Sequence, residues 1–339
     1  MNVKELNAVA KAMVADGKGI LAADESSPTI KKRFDGIDTE STEQNRRRYR
    51  EMLFTAPGLA DYIGGVILFD ETIRQSTSDG IPFAKYLNDR GMIAGIKVDK
   101  GAKPLAAFPG DKITEGLDGL RERLKEYFEL GAKFSKWRAV ITIGDGIPTD
   151  FCLRANAHAL ARYAALCQEA GIVPIVEPEV LMDGGHSIDR CTEVTSRTLE
   201  HVFRELADHR VELEGIVLKP NMVISGTEAA DRAGPDEVAT ATLEVLRKHV
   251  PESVPGIAFL SGGQSPEEAT EHLSLMNGMG PLPWELSFSY GRALQAPALD
   301  AWRGKEQQFK AGQEALLKRA RLNSLAHLGK YEKALETAA

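Results

Sequence analysis

Gly215-Ile216-Val217-Leu218-Lys219-Pro220-Asn221 sets a lysine where a short apolar run stops, and Val176-Glu177-Pro178-Glu179 ends a second such run upstream. An amine emerging from a buried strand is partly desolvated, which favours its neutral form and lets it attack a carbonyl. Nearby carboxyls can then move protons, a pairing that points to covalent carbonyl chemistry through a Schiff base. The structural alternative is a buried lysine salt-bridged to one of those glutamates. The rest of the chain decides between them.

Short apolar runs of the same kind recur at Gly19 to Asp24, Ile63 to Phe69, Ile93 to Val98, Phe134 to Arg138, Ile172 to Glu177, Ile257 to Ser261 and Leu286 to Tyr290. Measured at residues 24, 69, 97, 136, 177, 219, 261 and 290, their ends are 28 to 45 residues apart, about one βα unit each, with charged, helix-period segments between them. Eight such units predict a (β/α)8 TIM barrel with N- and C-terminal helical extensions, one domain over residues 1–339. Ser265-Pro266-Glu267-Glu268 carries a serine N-cap, a proline at the first helical position and a capping-box glutamate, and Ser41-Thr42-Glu43-Gln44 is a weaker version. From Arg190 to His209, Leu199, Val202 and Leu206 form one apolar stripe, as an outer barrel helix requires. A doubly wound open sheet would put a glycine-rich phosphate loop after an early strand. No GxGxxG or GxxxxGK[ST] occurs, and the glycines come late, in Ser261-Gly262-Gly263 and Tyr290-Gly291-Arg292.

The chain has 339 residues, 43% of them apolar, enough to bury a large core. A net charge of -7 argues against nucleic acid or an anionic membrane as the main partner, and no apolar run is long enough to span a bilayer. Cys152, Cys167 and Cys191 form no CxxC pair, and the N-terminal stretch has no continuous apolar core of a secretory signal, so a reducing cytoplasm is expected. The seven histidines, among them His158 and His209, show no HxxxH or HExxH spacing. No metal and no other cofactor is expected.

In a barrel the C-terminal strand ends converge on one mouth, so Asp24, Lys97, Lys136, Arg138, Glu177, Glu179, Lys219, Ser261 and Arg292 become neighbours. Lys136 and Arg138 share one strand face, as do Glu177 and Glu179. A cation near Lys219 would help keep the amine free, while glutamate takes and returns protons and Asp24 offers another base. Ser261-Gly262-Gly263-Gln264 can present backbone N–H groups to a phosphate, next to the dipole of the helix that follows. Arg292 could clamp the same phosphate, with Lys97 and Arg138 holding a second one.

Seven segments then read together: Gly19-Ile20-Leu21-Ala22-Ala23-Asp24-Glu25-Ser26, Gly95-Ile96-Lys97-Val98-Asp99-Lys100-Gly101, Lys136-Trp137-Arg138, Val176-Glu177-Pro178-Glu179, Leu218-Lys219-Pro220-Asn221-Met222, Leu260-Ser261-Gly262-Gly263-Gln264-Ser265 and Phe288-Ser289-Tyr290-Gly291-Arg292-Ala293-Leu294-Gln295. In this order they resemble class I fructose-bisphosphate aldolase. The resemblance implies a metal-free, reversible cleavage of fructose 1,6-bisphosphate to dihydroxyacetone phosphate and glyceraldehyde 3-phosphate. Lys219 would be the Schiff-base lysine, Glu177 the acid/base, Asp24 an aid to carbon-carbon cleavage, Glu179 a partner of Lys219 and Lys136 a support for carbinolamine chemistry. Ser261, Gly262, Gly291 and Arg292 would hold the 1-phosphate, and Ser26, Thr29, Lys97 and Arg138 the 6-phosphate end. A cytoplasmic homotetramer is the family's default.

Two departures stand out. Thr29 replaces the family's usual serine, behind a Ser27-Pro28 pair expected to stiffen that loop. The chain ends Leu335-Glu336-Thr337-Ala338-Ala339 without the terminal tyrosine of eukaryotic members, and Tyr331 falls in a lysine- and glutamate-rich segment expected to form a helix face, so no residue is assigned to enamine proton exchange. The competing readings are a class I aldolase or transaldolase-like enzyme for another sugar phosphate, and a binding protein that keeps the barrel without turnover.

Overall fold

In the computed structural model, which describes residues 2–337, eight parallel strands close on themselves: β1 (Gly19–Ala22), β2 (Ile63–Leu68), β3 (Ile93–Lys97), β4 (Phe134–Ile141), β5 (Val173–Val180), β6 (Val217–Leu218), β7 (Gly256–Phe259) and β8 (Glu285–Tyr290). Each pairs with the next in sequence, and β1 closes the ring against β8 through Ile20 opposite Ser289 and Leu21 opposite Tyr290. All eight expected runs are strands. Their limits differ: β4 and β5 run three residues further, paired from Phe134 opposite Val173 to Ile141 opposite Val180. β6 is shorter because Leu213–Gly215 closes a 3-10 turn before it.

Period-2 alternation sorts each strand into an inner and an outer face. On β4, Ser135 bonds the Tyr163 hydroxyl at 2.9 Å and Trp137 packs on the Tyr163 ring, so both face the outer helix Asp150–Glu169. Phe134, Lys136 and Arg138 therefore face inward. At the lower end, Phe134 packs with Ile20, Ile67, Val173, Ile175, Val217 and Ala258. Gly95 is the neighbour that permits this, since a Cβ there would lie inside the Phe134 ring.

The N-terminal extension is the helix Val3–Met13, whose Leu6, Ala10 and Met13 join this cluster and close the barrel floor. The C-terminal extension is the helix Phe309–His327, which packs against the helices Pro266–Gly278 and Arg292–Trp302 and reaches the strands β1 and β8. The Ser265 capping box forms as the sequence predicts, while at the earlier site Thr42 is the cap, accepting from Asn45 N at 3.1 Å. The striped outer helix spans Ile188–Asp208. Among the described residues no helix is long and apolar enough to cross a membrane.

Gly95→Ala is expected to lower stability by about 1–3 kcal/mol, because neither the buried ring nor the strand backbone has room to yield. Urea denaturation followed by circular dichroism measures it; an unchanged midpoint would mean that the barrel floor is not packed as described.

Candidate active site

The strand register decides which polar groups meet at the upper end of the barrel. Lys97 lies opposite Lys136, and Arg138 opposite Glu177. Val176 lies opposite Leu218, and Lys219 continues the ladder by donating its N–H to the Val176 carbonyl at 2.8 Å. Lys219 therefore sits level with Glu177, and its Nζ is 3.2 Å from Glu177 Oε1. The other carboxylate oxygen of Glu177 is 3.4 Å from Lys136 Nζ, which in turn lies 2.8 Å from Asp24 Oδ2 just past β1. The result is a line of alternating charge, Asp24, Lys136, Glu177, Lys219, whose last three members are each less than 5% exposed.

Burial alone would push the Asp24 and Glu177 carboxyls upward. Lys136 and Lys219 outweigh it in both cases, helped by Lys97 at Asp24 and by Arg138 at Glu177, and hold both groups below the usual carboxylate range. For Lys136 burial acts in the opposite sense and is again outweighed, by Asp24, Glu177 and Asp99, so this ammonium is held charged. One lysine is thus locked as a cation beside another that shares its carboxylate.

Glu179 does not contact Lys219 as the resemblance implied. It pairs with Arg138 on the neighbouring strand, because two residues along β5 raise it about 6.6 Å above the level of Lys219. Ser26, Thr29, Lys97, Arg138, Ser261, Gly262, Gly291 and Arg292 border the same cavity of about 500 Å³ as Asp24, Lys136, Glu177, Glu179 and Lys219. Every sequence-predicted site residue is thus at one mouth.

Around the ring, β3 and β4 stand across from β7 and β8, so Lys97 and Arg138 face Ser261, Gly291 and Arg292 from the opposite wall. Ser261 and Gly262 lead into the capped helix Pro266–Gly278, and Arg292 is the first residue of Arg292–Trp302, so two helix N-termini flank that side. A Cβ at Gly262 would have to displace the end of the Met182 side chain, and Gly263 has φ +73°. Ser27 and Pro28 do not stiffen a loop. They open the helix Ser27–Asp35, where a proline is readily accommodated, and leave the Ser26 and Thr29 hydroxyls 3.2 Å apart at its N-terminus.

Four polar lining residues were not anticipated: Glu25, Lys32, Arg33 and Ser289. Lys32 and Arg33 lie one helical turn beyond Thr29, and Ser289 lies on β8 two residues before Gly291, which caps the helix that follows, so the spacing carried the signal in both cases. Glu25 is held by Arg33 and by Arg50 at 2.6 Å, and Gln295 ties it to the Ala22 carbonyl. Tyr331 is buried in an irregular segment, not on a helix face, and donates to Glu336 Oε1 at 2.8 Å. Of the terminal segment, Ala338 and Ala339 lie outside the described residues.

Comparison with known proteins gives a consistent result. The family model described as fructose-bisphosphate aldolase class-I matches residues 5–339. A Xanthomonas campestris pv. campestris protein named "Probable fructose-bisphosphate aldolase class 1" is 58% identical, covering 98% of this chain and 100% of its own. "Fructose-bisphosphate aldolase 1" of Toxoplasma gondii is 53% identical over 97% of this chain and 91% of its own. The fold is similar to that of the Plasmodium falciparum fructose-bisphosphate aldolase solved with TRAP and a small-molecule inhibitor, with a TM-score of 0.96, 49% identity, and coverage of 97% and 96% of the two chains.

Replacing Lys136 by methionine leaves Asp24 without its lysine and Glu177 with Lys219 alone, and should cost about 3–5 kcal/mol at pH 7. Asp24 and Glu177 have folded pKa values below their unfolded ones of about 3.9 and 4.3, so their contribution is complete above that range and is lost as pH falls through and below it. The stability gap between wild type and Lys136→Met should therefore narrow below about pH 4. Urea midpoints between pH 7 and 3 test this, and a gap constant with pH would contradict it.

Proposed function

This chain belongs to the class-I fructose-bisphosphate aldolase family, and from that premise we propose that its barrel mouth cleaves fructose 1,6-bisphosphate through an imine on Lys219. The observation that carries this reading is the buried Lys219 amine 3.2 Å from a carboxylate that also borders a second lysine, whose ammonium form its acidic neighbours favour. Glu177 can accept a proton from the Lys219 ammonium, and the free amine then adds to the ketone carbon and passes a second nitrogen proton to the oxygen, giving the carbinolamine. Glu177 next returns a proton to the carbinolamine oxygen, which departs as water, while Lys136 offsets the charge developing on that oxygen.

The resulting iminium is the electron sink. Loss of the C4 hydroxyl proton to Glu177, with Asp24 assisting, lets the C3–C4 bond break, its electron pair passing to C3 and the imine to give an enamine and glyceraldehyde 3-phosphate. Protonation of the enamine at C3 and hydrolysis release dihydroxyacetone phosphate and restore the amine. Glu179 orients Arg138 in this scheme. Ser261, Gly262, Gly291 and Arg292 hold the 1-phosphate, and Ser26, Thr29, Lys97 and Arg138 the 6-phosphate across the mouth. Tyr331, tied to Glu336, is left without a part in enamine proton exchange.

The same reading takes residues 1–339 as one aldolase domain of a cytoplasmic homotetramer, serving glycolysis and gluconeogenesis. Cationic groups on opposite walls favour a bisphosphate over a monophosphate.

Lys219→Met should lower turnover by roughly four orders of magnitude or more in a folded protein. Wild-type kcat/KM should be higher for fructose 1,6-bisphosphate than for fructose 1-phosphate, and Lys97→Met should erode that preference. A clear preference for the monophosphate would overturn the substrate assignment and leave an aldolase of another specificity.

A further inference from the structure

Away from the mouth, His158, Glu205 and His209 meet where the outer helix Asp150–Glu169 packs on Ile188–Asp208. One possible ligand atom from each lies within 4.8 Å of both others. His158 Nδ1 is 3.1 Å from Glu205 Oε2, and His209 Nδ1 is 3.6 Å from the same oxygen. The imidazoles stand edge to face with centroids 4.8 Å apart. His209 Nδ1 also lies 2.9 Å from the Glu205 carbonyl oxygen, to which it can only donate, so the lone pair of neutral His209 is on Nε2.

We propose that His158, Glu205 and His209 form a surface site for a divalent transition-metal ion, with Zn²⁺ the best-suited ion, that cross-links the two outer helices. Two imidazoles and one carboxylate, with water in the fourth position, are a zinc donor set, whereas Mg²⁺ and Ca²⁺ require mostly oxygen ligands. The hydrogen bond from His209 to a backbone carbonyl fixes its tautomer and orientation in the way histidine ligands are commonly fixed. Glu205 and His209 sit at the C-terminal end of their helix, where the backbone dipole favours a cation. Tetrahedral zinc bonds of about 2.0–2.2 Å set donor atoms about 3.3 Å apart, a spacing that His158 Nδ1 and Glu205 Oε2 already approach, and His158, with half its side chain exposed, is free to adjust to the Nε2 of His209. The three cysteines are buried and do not offer a competing surface ligand.

Because barrel helices run back from the mouth, this end of the helix Ile188–Asp208 lies towards the barrel floor, so the ion is structural and remote from Lys219. An ion bound only by the folded chain raises its stability in proportion to ln(1 + [Zn²⁺]/Kd). The sequence hid this site because its ligands come from two helices and no short motif holds them.

The test uses the full-length protein stripped with EDTA. Equilibrium dialysis against ZnCl₂ at pH 7.5 should show about one ion per chain, weakened about tenfold or more in His158→Gln, Glu205→Gln and His209→Gln, with aldolase turnover unchanged. Circular dichroism checks that the variants fold. Cu²⁺ bound to wild type should show nitrogen hyperfine coupling in its electron paramagnetic resonance spectrum, a readout that needs no variant. Zinc bound equally by all four proteins, no binding by wild type at micromolar Zn²⁺, or a copper signal with oxygen ligands only would overturn the proposal.

Discussion

The arrangement at the barrel mouth depends on Glu177 being shared between two lysines. A single buried carboxylate beside a single buried lysine would form a closed ion pair, with the amine held as ammonium and nothing left to move a proton. Here Lys136 already neutralises part of the Glu177 charge and is itself held charged by Asp24. That leaves the contact between Glu177 and Lys219 one claim among several on the same carboxylate. The barrel makes this possible because its closure places β1, β4, β5 and β6 around one interior, with their inward side chains at matching heights.

The cost of gathering such charges is met by the layers around them. Below lies the apolar floor formed by Phe134, Val173, Ile175 and the N-terminal helix, which excludes water from one side. Above, Arg138 and Glu179 pair, and Glu25 is fixed by Arg33, Arg50 and Gln295. These contacts hold the charged groups in place while the mouth stays open to a substrate, in line with the general need for a supported catalytic constellation.

Much of this was legible in the sequence because the two signals involved are local. The apolar run ending in Lys219 and its seven counterparts gave the strand count, and the period-2 spacing of Lys136 with Arg138 and of Glu177 with Glu179 gave the faces. Relations that depend on register were not legible. Whether Glu177 or Glu179 meets Lys219 turns on a shift of two residues between β5 and β6, which neither strand records in its own sequence. Ser27 and Pro28 were misread for the opposite reason: a proline that looks like loop chemistry is also a good first residue of a helix. The pairing of His158 with His209 is a third kind, a contact between helices set only by how they pack on the barrel.

The proposed chemistry requires Lys219 to form a covalent bond with its substrate. Incubation with dihydroxyacetone phosphate and borohydride in the presence of EDTA, followed by peptide mass spectrometry, tests it most directly. A reduced adduct on the peptide carrying Lys219, and none at Lys136, is the expected result. A folded protein that binds the ligand but yields no adduct, or yields it on another lysine, would rule out an imine on Lys219.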